Sequence, residues 1–78
     1  MTLADLKTGE RVRIEAIRTA ESAVQRLMII GFVAGAEPQF VGPSLGGDPL
    51  EFLLHGSTVS LRKADARHCD VRPEPVDG

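Results

Sequence analysis

The chain has no tryptophan and no tyrosine, and its three phenylalanines stand at positions 32, 40 and 52. Proline-rich peptide grooves, base-stacking platforms and aromatic cages all need exposed rings, so these functions are excluded. Three phenylalanines in so short a chain belong to its interior. Cysteine occurs once, at Cys69, so no intrachain disulfide can form. That usage suits a reducing, cytoplasmic setting. No basic segment followed by an apolar run marks a targeting signal. The longest apolar run is Leu27 to Ile30, far short of the roughly 20 residues a membrane span needs, so direct membrane insertion is not expected. Nine basic residues face eleven acidic ones, for a net charge of -2. That balance leaves no electrostatic footprint for nucleic acid.

What is present amounts to one domain in 78 residues. A core of this size is marginal and leans on regular packing or on a partner. We expect the domain over 1–72. Residues 73–78 (Pro73-Glu74-Pro75-Val76-Asp77-Gly78) show no pattern and are expected to be a disordered tail.

The chain is organised around Gln25 to Gly35. Val24, Leu27, Met28 and Gly31 fall on one helical stripe. Gly31 stands where a helix commonly ends in a left-handed residue. Leu27, Met28, Ile29 and Ile30 are consecutive and apolar. A helix with one buried face cannot hide four neighbours, because they span all its sides. Either the last turn is buried on two sides, or Ile29 or Ile30 belongs to a contact surface.

The remaining segments read mostly as strands. Thr2 to Leu6 makes a single helical turn, with Thr2 and Asp5 at capping-box spacing. Arg11 to Ile17 alternates, with Val12, Ile14 and Ala16 inward and Arg11, Arg13 and Glu15 outward. Thr19 to Ser22 is a polar break, Ser22 and Gln25 form a second capping box, and Glu21 favours the helix start. The helix runs from about Ala23 to Ile30. Ala36 to Gly42 is a second strand with Phe40 inward. Pro38 cannot donate to a ladder, which makes this strand an edge or a bulged one. Pro43 to Pro49 is a loop. Its paired glycines open no helix, so a phosphate cradle is not supported. Leu50 to His55 is a third strand with Leu50, Phe52 and Leu54 inward. Gly56-Ser57 is read as a tight turn. Thr58 to Arg62, a helical turn at Lys63 to Arg67, and a last strand at His68 to Arg72 complete the chain. Closing the sheet would remove its edges. The expected fold is mainly β: a small SH3-like barrel of about five strands, with one short helix inserted after the first strand.

Chemistry-bearing residues are few. His68 and Cys69 are adjacent and point to opposite strand faces, so they do not share an ion. Glu51 and His55 share a face but lie roughly 13 Å apart at strand rise. Cys69 points inward, where thiols are inert packing groups. No catalytic constellation, metal site or cofactor site is expected, and the chain is read as a non-enzyme.

Three stretches, in order, are similar to a known family. They are Arg26 to Gly35, Leu45-Gly46-Gly47-Asp48-Pro49-Leu50-Glu51-Phe52, and Gly56 with Val59-Ser60-Leu61-Arg62-Lys63 and Asp65-Ala66. Together with Leu3, Leu6, Gly9 and Ile14 they resemble FeoA-type ferrous iron transport accessory proteins over about Leu3 to Val71. Pro38, where the family more often has a β-branched residue, and the apolar Ile29 are departures. The resemblance implies a cytoplasmic SH3-like domain that acts by contact with a FeoB-type transporter, a membrane GTPase. A related domain closes iron-dependent transcription repressors. The alternative is therefore a stand-alone interaction module in metal-responsive regulation, one that binds a transition metal ion. The expected contact residues are Met28, Ile29, Ile30 and Phe32 as apolar anchors, with Arg26 on the rim. Core packing competes with this role, most strongly at Met28 and Phe32. An exposed edge at Pro38 or the apolar helix end would also support a weak dimer.

Overall fold

Alternating apolar residues and tight turns build five short strands. The computed structural model describes residues 1–18 and 22–74. A 3-10 turn at Leu3–Asp5 opens the chain. It is followed by β1 (Val12–Ile17), α1 (Ser22–Ile30), β2 (Gln39–Pro43), β3 (Leu50–Leu54), β4 (Ser57–Leu61), α2 (Lys63–Ala66) and β5 (Cys69–Pro73). The capping box at the start is formed. The Asp5 carboxylate accepts from the Thr2 N–H at 2.8 Å, and the Thr2 hydroxyl accepts from the Ala4 N–H at 3.2 Å. The capping box of Ser22 with Gln25, the charge of Glu21 and the place of Val24 on the stripe fall outside what is described.

The strands form two antiparallel sheets, β1-β5 and β2-β3-β4. No ladder joins β4 to β5 among the described residues, so the expected closed barrel is not what the chain forms. The segment ahead of β2 runs alongside β1: Val12 N–H donates to Pro38 C=O at 3.1 Å and Ile14 N–H to Ala36 C=O at 2.9 Å. Phe40 N–H donates to Glu10 C=O at 2.9 Å. Proline has no N–H to return to Val12, so this pair keeps one bond of two, while pairing resumes on both sides of it. Pro38 is itself fully buried. It is thus no exposed edge, and the bulge in this strand lies further on, between Phe40 and Gly42.

Two further expectations are corrected. Register shifts between Ile14 and Ala16 in the β1-β5 ladder. One extra residue reverses the alternation, so Ala16 turns outward and Ile17 is half-buried. The β3-β4 turn is His55-Gly56, one residue earlier than expected, with Leu54 and Ser57 closing the hairpin. His55 and Gly56 have φ of 51° and 81°, which suits a two-residue turn with both residues left-handed. The chain stays paired just past residue 72. Pro73 pairs with Val12, Glu74 N–H donates to Arg11 C=O at 3.2 Å, and the Glu74 carboxylate meets Arg13 at 3.2 Å. The rest of the expected tail, 75–78, lies outside the described residues.

The core joins both sheets. Phe52 is central, with Phe32 edge-on at a centroid distance of 5.7 Å and Phe40 at 5.3 Å. Leu3, Val12, Ile14, Leu27, Leu61, Cys69 and Val71 pack around them.

Candidate contact surface

Gly31 ends α1 and sets what the helix shows to solvent. Phe32 N–H donates to Leu27 C=O at 2.9 Å and Gly31 N–H to Met28 C=O at 3.1 Å. These two bonds are the Schellman pair, with Gly31 as the left-handed residue at φ 117°. Leu27 and Phe32, the two positions whose apolar side chains accompany this motif, are both buried in the core. The β3-β4 turn leans on the same glycine. A Cβ there would lie 3.2 Å from Leu54 Cδ2 and 3.5 Å from His55 Cδ2. Glycine is therefore required twice, by backbone conformation and by close approach.

This geometry decides among the four apolar neighbours. Leu27 takes the inward position at 2 % exposure, while Met28, Ile29 and Ile30 are 53 %, 84 % and 44 % exposed. Val33, just past the glycine, is 37 % exposed. The last turn of α1 is thus not buried on two sides. Met28 lies on the exposed face and not on the buried stripe. Phe32 is at 0 % exposure and is a core residue, so it cannot serve as a surface anchor. Its ring leaves the surface because the Schellman turn redirects the chain inward at Gly31. Arg26 is exposed on the same helix. His55 flanks the patch through the hairpin turn, a neighbour that sequence spacing could not reveal because it depends on β3-β4 docking against α1.

A groove with a cavity of about 170 Å³ runs beside the patch. Arg26, Leu27 and Ile30 form one wall, and Ser60, Leu61 and Arg62 the other. Asp65 of α2 closes its end. Elsewhere, no group of three or more His, Cys, Asp or Glu is placed to hold a metal among the described residues. Cys69 is buried, and burial with nearby Asp65 and Asp70 pushes its thiol up from 9.0 to about 11. At neutral pH it is a protonated packing group.

The sequence pattern of the FeoA domain matches residues 1–73. The chain belongs to the FeoA family. No curated protein matches it. Its fold is shared with solved FeoA structures. The FeoA protein of Chlorobium tepidum is 33% identical over 100% of this chain and 74% of its own, with a TM-score of 0.85. Iron(II) transport protein A of Clostridium thermocellum is 29% identical with a TM-score of 0.87, over 94% of this chain and 45% of its own. The FeoA of Stenotrophomonas maltophilia, crystallised with zinc and described as a prokaryotic SH3 domain protein, is 28% identical over 92% of this chain and 89% of its own, with a TM-score of 0.80. No helix among the described residues is long and apolar enough to cross a membrane.

Proposed function

We propose that this FeoA-family chain is an accessory protein of ferrous iron transport. It acts on the cytoplasmic side, without catalysis, by binding a FeoB-type membrane GTPase. The observation that carries the reading is the exposed apolar turn Met28-Ile29-Ile30. Covering such side chains is worth on the order of 1.5–3 kcal/mol each when they become fully buried. Ile29 is the natural centre of the contact, being the most exposed of the three. Arg26 supplies a polar rim, and His55 and Val33 extend the surface.

The test is binding of the purified chain to a FeoB-type transporter in nanodiscs, with and without guanine nucleotide. The wild-type chain binds, and nucleotide dependence identifies the transporter state it recognises. Ile29→Asp weakens binding by about tenfold or more, the loss of roughly 1.4 kcal/mol, while circular dichroism stays unchanged. Absence of wild-type binding in both nucleotide states would sink the reading and leave the chain as a stand-alone module.

A further inference from the structure

We infer that the groove between α1 and β4 is a second docking site, which takes an extended acidic segment of a partner by strand addition to β4. The site is distinct from the Ile29 surface, though Arg26 and Ile30 border both. It does not depend on who the partner of that surface is.

Three observations converge on it. First, β4 is the end strand of its sheet, with β3 on one side only. In the two-residue hairpin, Leu54 and Ser57 close the turn as a hydrogen-bonded pair, so pairs of that kind alternate along the ladder. Thr58 and Ser60 then turn their N–H and C=O groups away from β3. Both residues are exposed, and β4 (STVSL) carries no lysine, proline or bulge to blunt the edge. Second, the groove borders the last two residues of this strand, Ser60 and Leu61. Ile30 offers it an exposed apolar side chain, over the nearly buried Leu27 and Leu61, for a side chain of an added strand to meet. Third, Arg26 and Arg62 stand on opposite walls. Among the described residues neither has an ion-pair partner within 4.0 Å, whereas Arg13, Arg18 and Arg72 all do. Asp65, at the end of the groove, offsets part of this charge, and the two guanidinium groups leave the walls net positive. An aspartate or glutamate on the incoming strand meets both. A second copy of this chain is disfavoured as the occupant. It would bring its own Arg62, just past β4, to the same edge, with no carboxylate on Ser57–Leu61 to meet the arginines.

The probe is a display library of random linear peptides of about ten residues, long enough to cover a strand with flanks, selected on the full chain. Enriched peptides should alternate apolar residues with at least one Asp or Glu. The best of them, made synthetically, should shift and protect the amides of Thr58 and Ser60 in NMR spectra. The double variant Arg26→Glu/Arg62→Glu should weaken binding by about tenfold or more, as expected for charge-assisted pairs. A peptide with lysine in place of its acid should restore it. N-methylation of the peptide residues facing Thr58 and Ser60 should abolish binding, and methylation at alternate residues should not. That comparison leaves the protein untouched, so it holds even if the charge variant folds poorly. Ile29→Asp should bind the peptide normally, which separates this site from the transporter surface. Failure to enrich any peptide overturns the inference. So do shifts that map elsewhere, binding indifferent to N-methylation, or a concentration-dependent dimer that protects Thr58 and Ser60 by itself.

Discussion

Ile29, Phe32 and Cys69 occupy three different physical situations. Ile29 is 84 % exposed, so replacing it changes little packing and its stability effect is about 0.5 kcal/mol. Aspartate in the last helical turn adds up to about 1 kcal/mol of unfavourable dipole interaction. Ile29→Lys avoids that term, because a cation is favoured there. If Lys and Asp both abolish transporter binding while thermal melts stay within a few degrees, the lost contact is apolar. Phe32 is the opposite case. Its ring is fully buried against Phe52, so Phe32→Ala should destabilise by about 3–5 kcal/mol, a loss that chemical denaturation reads directly. Cys69 gives a pH dependence with a definite sign. Its thiol titrates near 11 in the folded chain against 9.0 for an ordinary thiol. Between those values the unfolded chain has released the proton and the folded chain has kept it. Stability is therefore whole below pH 9.0 and falls as pH rises towards 11, by no more than about 2–3 kcal/mol. Cys69→Ala should flatten this slope in urea melts, and Cys69 should resist alkylation at neutral pH until the chain unfolds.

At the scale of the element, the end of α1 is the feature on which most else depends. Nine residues make a helix with little stability of its own. Leu27, the Schellman bonds and the hairpin leaning on Gly31 hold it in place. Gly31→Ala should cost about 1–2 kcal/mol for the left-handed conformation alone. The crowding against Leu54 Cδ2 at 3.2 Å adds to that. Because the helix end carries Met28 to Ile30, the same change should also weaken transporter binding, unlike a substitution that only lowers stability at a distance. A binding measurement well below the melting temperature separates the two effects. The β3-β4 hairpin matters for the same reason. Its turn residue His55 sits against Gly31, so turn and helix end are positioned together.

For the whole molecule, the two sheets are held together where β1 meets both β5 and the segment leading into β2. Arg13 on β1 bridges Glu37 at 3.0 Å and Glu74 at 3.2 Å. The hydrogen bond that Arg13 donates to Glu37, with the charge of Glu74 beside it, holds the guanidinium proton more tightly than usual. These residues lie before β2, on β1 and after β5, so the cluster ties the segment ahead of β2 and the chain beyond β5 to β1. Ending the chain at Pro73 removes Glu74 and its backbone bond to Arg11. The melting temperature should fall, and the fall should shrink at high salt, since the charges are partly exposed and screenable. An unchanged melting temperature would mean that the cluster contributes nothing.

The order of elements, the three buried phenylalanines and the glycine stop were all legible in the chain. Each rests on local rules: period-two alternation, helix spacing and the conformational freedom of glycine. The consecutive run Leu27 to Ile30 also announced a conflict that local rules could state but not resolve. Packing resolved it, by choosing Leu27 for the core and leaving the next three residues outside. Other outcomes depended on partners distant in sequence. The bulge after Ile14 turned Ala16 outward, the neighbour supplied by β1 made Pro38 a buried acceptor, and the unmade β4-β5 ladder left an open edge beside Arg26 and Arg62. Alternation within a strand says which residues share a face. Only tertiary structure decides which face is covered, which edge is paired, and so where this protein can meet another.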